Sequence, residues 1–323
     1  MVVSRSRFWR TGAIMFLIVV GGLSLLPYLI SDGAREDLPE APFADSRFAE
    51  LDGFRVHYRV SPAQPADAGA VQGDLLLLHG LAGSSFSWRE VVEPLTRAGY
   101  RVIRVDLPPF GFSEPRLPAQ AGLGETALLE AVLDEAGLAT DRLHLVGHSM
   151  GAAAAARLAT RLERSIATVT FVSGSLDTGS EGGQGIGGVI MRYPPVQRWI
   201  TVIGSRRLLN EEGMARALES AYGKPPSDAA VAGYLAPLRT RGRPAAVIRY
   251  LHSSRESVSP DSLGSLQTAL IWGERDQWVP ISHGRRLQDA LDAPLEIIDG
   301  AGHNPMETHP EAFSETLLEL LAR

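Results

Sequence analysis

The chain has 323 residues, of which 45% are hydrophobic and 21% charged, with a formal net charge of −6 and no cysteine. That composition is globular, and its acidic balance with scattered arginines excludes the basic footprint of a nucleic-acid binder. Without cysteine there are no disulfides, no thiolate catalysis, no iron–sulfur cluster and no sulfur-bound zinc. No H-E-x-x-H, EF-hand loop or G-x-x-x-x-G-K-S/T run occurs, so neither metal nor cofactor is expected, and the single lysine, Lys224, leaves little room for Schiff-base chemistry.

The first element is an uncharged apolar run, Ala13 to Ile30, preceded by Arg5, Arg7 and Arg10 and followed by Asp32, Glu36 and Asp37. As a helix it covers roughly 27 Å, close to the hydrocarbon core of a bilayer. A cleavable signal has a shorter apolar region and small residues before the cut, and Ile30-Ser31-Asp32-Gly33-Ala34 is a poor site of that kind. Residues 1–31 therefore read as an uncleaved membrane anchor, with secretion after cleavage as the alternative. The leading arginines stay cytoplasmic, which puts the rest of the chain on the extracytoplasmic side. Residues 32–44, rich in Asp, Glu, Pro and Ala, read as an extended linker.

Two alternating stretches, Arg47 to Leu51 and Phe54 to Val60, are joined through Asp52-Gly53 and predict a β-hairpin. Asp74 to His79 (DLLLLH) is a continuous apolar run, as expected of a parallel strand covered on both faces. Helical spacing follows over Trp88 to Ala98, then a strand over Tyr100 to Leu107, a helix over Glu125 to Ala136 and a strand over Leu143 to Val146. A helix from Met150 to about Leu162 and a strand over Thr168 to Val172 continue the alternation. Strand and helix in this order predict an α/β fold: a mostly parallel sheet with helices on both faces. After Gly174 the pattern breaks for roughly 90 residues, against ordinary connections of about 2 to 6. It resumes at Ala269 to Trp272, with a helix near Ser282 to Leu291, a strand over Leu295 to Ile298 and a last helix from Pro310. The domain plan is thus a core of residues 45–175 and 265–323, interrupted by an insertion over 176–264.

Gly147-His148-Ser149-Met150-Gly151 matches G-x-S-x-G between a predicted strand and a predicted helix, the context of a nucleophile elbow. A serine hydroxyl needs a neighbouring base and a group that holds that base. In this architecture the chain order is serine, acid, histidine. Asp276, just past one strand, and His303, in a glycine-flanked loop just past the next, both fall at the carboxyl edge of the sheet, where open α/β sheets carry function. Asp276 has a competing reading as a helix cap, and Asp177, Glu274 and Asp299 stand in reserve as acids. A tetrahedral oxyanion needs two fixed donors, for which the backbone N–H groups of Met150 and Leu81 are the candidates. His79 is assigned a hydrogen bond within its own loop.

HGLAGSS, DLPPFGFSE, VGHSMG, IWGERDQWVP and DGAGHNP, in that order, resemble the α/β-hydrolase superfamily over roughly residues 47 to 323. The resemblance implies an eight-stranded, mostly parallel core with an inserted helical cap after the sixth strand. It also implies the triad Ser149, Asp276 and His303, the oxyanion pair Leu81 and Met150, and a structural turn at Asp106 and Gly111. Serine stands where the similar epoxide hydrolases and haloalkane dehalogenases carry aspartate, which argues against those chemistries. In the cap, Gly179 to Gly188 reads as a hinge and Val196, Trp199, Ile200 and Ile203 as a packing stripe. Arg192, Arg198, Arg206, Arg207, Arg239, Arg241 and Arg243 read as a solvated cationic face. The expected function is hydrolysis of a carboxylic ester or related acyl bond of a small or lipid-like molecule. The alternatives are a C–C bond hydrolase of diketone-type substrates and a non-catalytic ligand-binding homologue.

Overall fold

The computed structural model describes residues 5–64, 71–137, 142–162, 166–176, 193–253 and 255–323. The expected hinge Gly179 to Gly188, the reserve acid Asp177 and Arg192 lie outside the described residues. Strands β1 (Ser46–Leu51) and β2 (Phe54–Ser61) form the predicted hairpin, and Asp52 and Gly53 take the positive φ angles, 50° and 72°, that a tight turn requires there. β2 then pairs antiparallel with β4 (Tyr100–Val105).

The remaining strands are parallel: β3 (Gly73–Leu78), β5 (Leu143–His148), β6 (Ile166–Val172), β7 (Thr268–Gly273) and β8 (Leu295–Ile298). The order across the eight-stranded sheet is β1-β2-β4-β3-β5-β6-β7-β8. β3, β5 and β7 are buried at every position because helices cover both faces, which is why they read as unbroken apolar runs.

On one face, α3 (Glu125–Ala136), α4 (Met150–Ala159) and α9 (Ile281–Leu291) pack Leu128, Leu133, Ala155 and Leu287 against the sheet. On the other, α2 (Val92–Arg97) and α11 (Pro310–Leu321) bring Leu95, Phe313 and Leu317 around Trp88. α2 is shorter than the periodicity predicts. Ser85–Trp88 is a separate 3₁₀ turn capped by the Ser84 hydroxyl, which accepts from Phe86 N at 3.2 Å. Pro94 lacks an N–H and fits only the first turn of a helix, so the helix begins just before it.

Between β6 and β7 lie α5 (Pro194–Leu208), α6 (Glu211–Tyr222), α7 (Asp228–Leu238) and α8 (Arg243–Leu251). Asn210 caps α6 and Ser227 caps α7, each side chain accepting a first-turn N–H. The two helices share a small core of Met214, Leu218, Tyr222, Val231, Tyr234 and Leu235. Of the stripe expected to pack in α5, Val196, Trp199 and Ile200 are half-buried and Ile203 is 48% exposed, while the fully buried positions include Thr201, Val202 and Ser205.

The arginines are not one solvated face either. Arg198 pairs with Asp32, and Arg241 with Asp37. Arg243 is wholly buried, donating from Nη1 to the carbonyls of Pro109 and Phe110.

The N-terminal run forms α1 (Arg5–Leu29), whose Gly12–Leu29 stretch has a mean hydropathy of 2.1 and is 6% buried. Among the described residues it is the one helix long and apolar enough to cross a membrane. The segment after it is not a free linker. Arg35 N and Glu36 N donate to Arg239 O at 3.0 and 3.2 Å, and Arg241 N donates to Glu36 O at 2.7 Å. Residues 35–36 are thereby strapped along the turn between α7 and α8, because paired backbone groups fix a chain that composition alone makes look flexible.

Candidate active site

β5 runs directly into α4, and the residue between them, Ser149, sits at φ 52° and ψ −115°. Its N–H is held by Val172 O at 2.9 Å. Such a turn needs close backbone approach. A Cβ at position 147 would stand 2.3 Å from Gly151 O, and one at 151 would stand 2.3 Å from Leu78 O. Any side chain at either site would force the turn apart, so the G-x-S-x-G spacing is a steric requirement here.

Asp276, in the turn after β7, uses its two oxygens separately. Oδ1 accepts Trp278 N and Val279 N, both at 2.9 Å, and Oδ2 accepts His303 Nδ1–H at 2.8 Å. The capping role and the histidine-holding role therefore coexist. Burial pushes the Asp276 carboxyl up, but the His303 hydrogen bond and charge and the Val279 N–H outweigh it and hold it below its ordinary range. With Nδ1 donating to Asp276, Nε2 is the ring nitrogen of His303 left free to accept a proton.

The loop carrying His303 is fixed from two sides. His303 N donates to Ala221 O, at the end of α6, at 2.7 Å, and its carbonyl accepts His148 Nε2–H at 2.8 Å. A Cβ at Gly302 would lie 2.5 Å from Ala221 O, so the glycine before the histidine lets the inserted helix approach. Of the reserve acids, Glu274 accepts Gly300 N at 2.9 Å and Asp299 is exposed; neither bonds His303.

Ser149, His148 and His303 line one cavity of about 370 Å³ with Leu81, Met214, Ala217, Leu218, Ala221, Leu238, Trp278 and Val279. Leu81 belongs to the loop after β3, closed by Gly83 N donating to Gly80 O at 3.0 Å. Met150 is the first residue of α4, so its N–H is one of the first-turn donors without an intrahelical acceptor.

His79 has the structural role expected of it: Nδ1–H donates to Gly80 O at 2.7 Å and Nε2 accepts Leu107 N–H at 2.9 Å. Asp106 is also structural, fully buried and accepting from His57 Nδ1 at 2.8 Å, Ser85 N at 2.5 Å and Phe112 N at 2.6 Å. Gly111, at φ 55°, leaves room for that carboxylate, which a Cβ would meet at 2.2 Å.

One polar cluster beside the cavity has no counterpart in the sequence reading. Glu307, in the short helix α10 (Pro305–Thr308), has a fully buried carboxylate paired with Arg89. Oε2 accepts Tyr222 OH at 2.8 Å, and Oε1 accepts Tyr234 OH at 2.5 Å and Asn304 Nδ2 at 2.9 Å. Tyr234 in turn shares a 2.9 Å hydrogen bond with Ser87. Burial pushes both tyrosines well up, and the Glu307 charge adds to it, so they remain hydroxyl donors. The cluster ties α6 and α7 to the core. Glu307→Ala is expected to cost about 3 kcal/mol, because it takes the acceptor from the Tyr222 and Tyr234 hydroxyls and the Asn304 amide while Arg89 keeps its pair with Glu90, and Tyr222→Phe about 1 kcal/mol. Urea unfolding of both variants measures this, and equal effects would remove the carboxylate from its central place.

Burial sets a second expectation. It lowers His148 to about 3, with the nearby His303 adding to it, and lowers His144 to about 4, with Arg142 adding to it. Both are neutral when folded and take up a proton on unfolding below about pH 6.5. Their stabilisation is complete above that pH and is lost as pH falls toward 4, by about 1.4 kcal/mol per pH unit for each group. Unfolding free energies at pH 7, 6 and 5 are expected to show this slope, and His144→Gln is expected to remove one proton's share. A flat profile would contradict it.

The model of the Alpha/beta hydrolase family matches residues 75–316. Uncharacterized hydrolase YugF of Bacillus subtilis (strain 168) is 29% identical over 258 residues, covering 76% of this chain and 89% of its own. A 2-hydroxy-6-oxononadienedioate/2-hydroxy-6-oxononatrienedioate hydrolase of Cupriavidus pinatubonensis (strain JMP 134 / LMG 1197) is 28% identical over 293 residues, covering 85% of this chain and 95% of its own. Among solved structures, a membrane phospholipase A aligns with a TM-score of 0.63 at 20% identity, over 98% of both chains.

Proposed function

Because the chain belongs to the Alpha/beta hydrolase family, we propose that it is a membrane-anchored serine hydrolase that cleaves a carboxylic ester, or a related acyl bond, of a neutral, lipid-like substrate. In this reading residues 1–31 are the anchor, 32–44 a strap, 45–175 and 265–323 the catalytic core, and 176–264 the cap. Ser149 Oγ attacks the acyl carbon as His303 Nε2 takes its proton, and Asp276 stabilises the imidazolium that forms. The N–H groups of Leu81 and Met150 receive the oxyanion. The alcohol leaves with the proton from His303, and water then cleaves the acyl-enzyme by the same route.

The observation that carries the substrate class is the cavity wall. Beside Ser149 it is built from Leu, Met, Ala, Val and Trp side chains, and among the described residues lining it there is no arginine or lysine. Its nearby polar groups, Ser87, Tyr234 and Asn304, are already bonded within the Glu307 cluster. The C–C hydrolases similar to this chain are named for dienedioates, which carry two carboxylates. Burying such charges in an apolar wall without cations is costly.

The test is a substrate panel on the full-length protein in detergent. Turnover of p-nitrophenyl esters is expected, rising from acetyl to medium-length acyl chains, with no cleavage of a 2-hydroxy-6-oxo-dienedioate. The reverse preference would make it a C–C hydrolase, and failure to take a fluorophosphonate label would favour a non-catalytic homologue. The chain is also expected to stay in the membrane pellet on carbonate extraction, and its release would indicate a cleaved signal.

A further inference from the structure

The last part of α1 is gripped by α5. Trp199 Nε1 donates to Leu23 O at 2.9 Å, Arg198 Nε to Pro27 O at 3.1 Å, and Arg198 Nη2 to Ile30 O at 2.8 Å. Arg198 Nη1 completes the grip on Asp32 at 2.6 Å, and Ser24 Oγ lies 3.2 Å from Tyr193 OH. The contact therefore runs along residues 23–29, about 10 Å of helix, and continues to residue 32.

This creates a conflict of dimensions. If the gripped residues stood in water, residues 12–22 would be left to cross the membrane with about 17 Å of helix, little more than half of a hydrocarbon core of about 30 Å. Leu25 and Leu29 would also be left 68% and 83% exposed to solvent. Both problems are removed if residues 23–29 lie in the membrane and α5, bonded to them, lies in the same layer.

The composition of α5 fits that layer. Its Pro194–Leu208 sequence holds three arginines and no acid, in a chain of net charge −6. Tyr193, just before it, is 49% exposed and Ile203 is 48% exposed, while Arg206 and Arg207 are exposed at its far end. An exposed aromatic and an exposed aliphatic side chain together with two outward-reaching arginines fit a helix lying at the boundary between acyl chains and headgroups.

We propose that α5 is an interfacial membrane-binding helix: its exposed Ile203, with Tyr193 just before the helix, lies at the acyl–headgroup boundary of the leaflet in which α1 ends, and Arg206 and Arg207 contact lipid phosphates. The proposal rests on α1 being a membrane anchor. It goes beyond the anchor by making the inserted helices, not only the N-terminus, a lipid-contacting surface. α5 packs on α6, which supplies Met214, Ala217, Leu218 and Ala221 to the cavity wall, so the bilayer contact lies one helix away from Ser149.

The absence of cysteine allows single nitroxide labels on the full chain. The sites are Ile18→Cys in the anchor, Ile203→Cys in α5 and Ile297→Cys on β8, all exposed in the structure. In vesicles of phosphatidylcholine with one-quarter phosphatidylglycerol, the labels at 18 and 203 are expected to collide more with oxygen than with a water-soluble nickel chelate. The label at 203 should lie shallower, and that at 297 should favour nickel. A nickel-accessible label at 18 would overturn the anchor itself. An oxygen-accessible label at 18 with a label at 203 that behaves like that at 297 would overturn the proposal and leave the anchor standing. Dipolar broadening at 203 would assign this face to a second copy of the chain and also overturn it. Finally, the double variant Arg206→Ala/Arg207→Ala is expected to lose several-fold activity on a vesicle-borne ester while keeping its rate on soluble p-nitrophenyl butyrate. Unchanged rates on both would overturn the phosphate contact.

Discussion

Ser149→Ala is expected to lower ester turnover on the order of 10⁴-fold or more and to abolish fluorophosphonate labelling, since the acyl-enzyme has no other nucleophile in this scheme. The fold should survive. What holds residue 149 is its backbone N–H on Val172 O and the two glycines that clear its turn, none of which involves the hydroxyl. Thermal unfolding of the variant should therefore match the parent closely. Near-parental turnover by a folded variant would remove Ser149 from the mechanism. Gly151→Ala is the informative contrast, because its Cβ would strike Leu78 O and should reduce folded yield and activity together.

Asp276→Asn is expected to cost a similar factor, about 10⁴ in kcat with little change in KM, for a different reason. The asparagine keeps the size, but with its one oxygen held by Trp278 N and Val279 N it presents an amide N–H to His303 Nδ1, which favours the wrong tautomer and stabilises no imidazolium. Its remaining oxygen can still accept Trp278 N and Val279 N, so the turn after β7 should hold. Asp299→Asn should be nearly silent because that side chain is exposed, and Glu274→Gln should cost at most the hydrogen bond to Gly300 N. A kcat loss at Asp177→Asn as large as that expected at Asp276, with Asp276→Asn mild, would move the acid to position 177.

The order of strands and helices, the elbow at Gly147 to Gly151 and the positions of Asp276 and His303 at the strand ends were legible in the sequence. All of these are local: apolar runs, periodicity and glycine spacing respond to whether a segment is covered on one face or two and to how tightly a turn closes. The Glu307 cluster was not legible. Its members, Arg89, Tyr222, Tyr234, Asn304 and Glu307, come from separate elements, and a buried carboxylate looks in sequence like any solvated glutamate until its donors are brought around it. The same is true of α5. Its apolar positions announced an amphipathic helix, but only the fold decided that Thr201, Val202 and Ser205 face inward and that Trp199 and Arg198 grip the anchor. Arg243 changed from a presumed surface cation to a buried donor for the same reason. Local steric and hydrophobic patterning is written along the chain, whereas the partner of a charge or of an exposed face is set by which distant segments the tertiary fold places within a few ångströms of it.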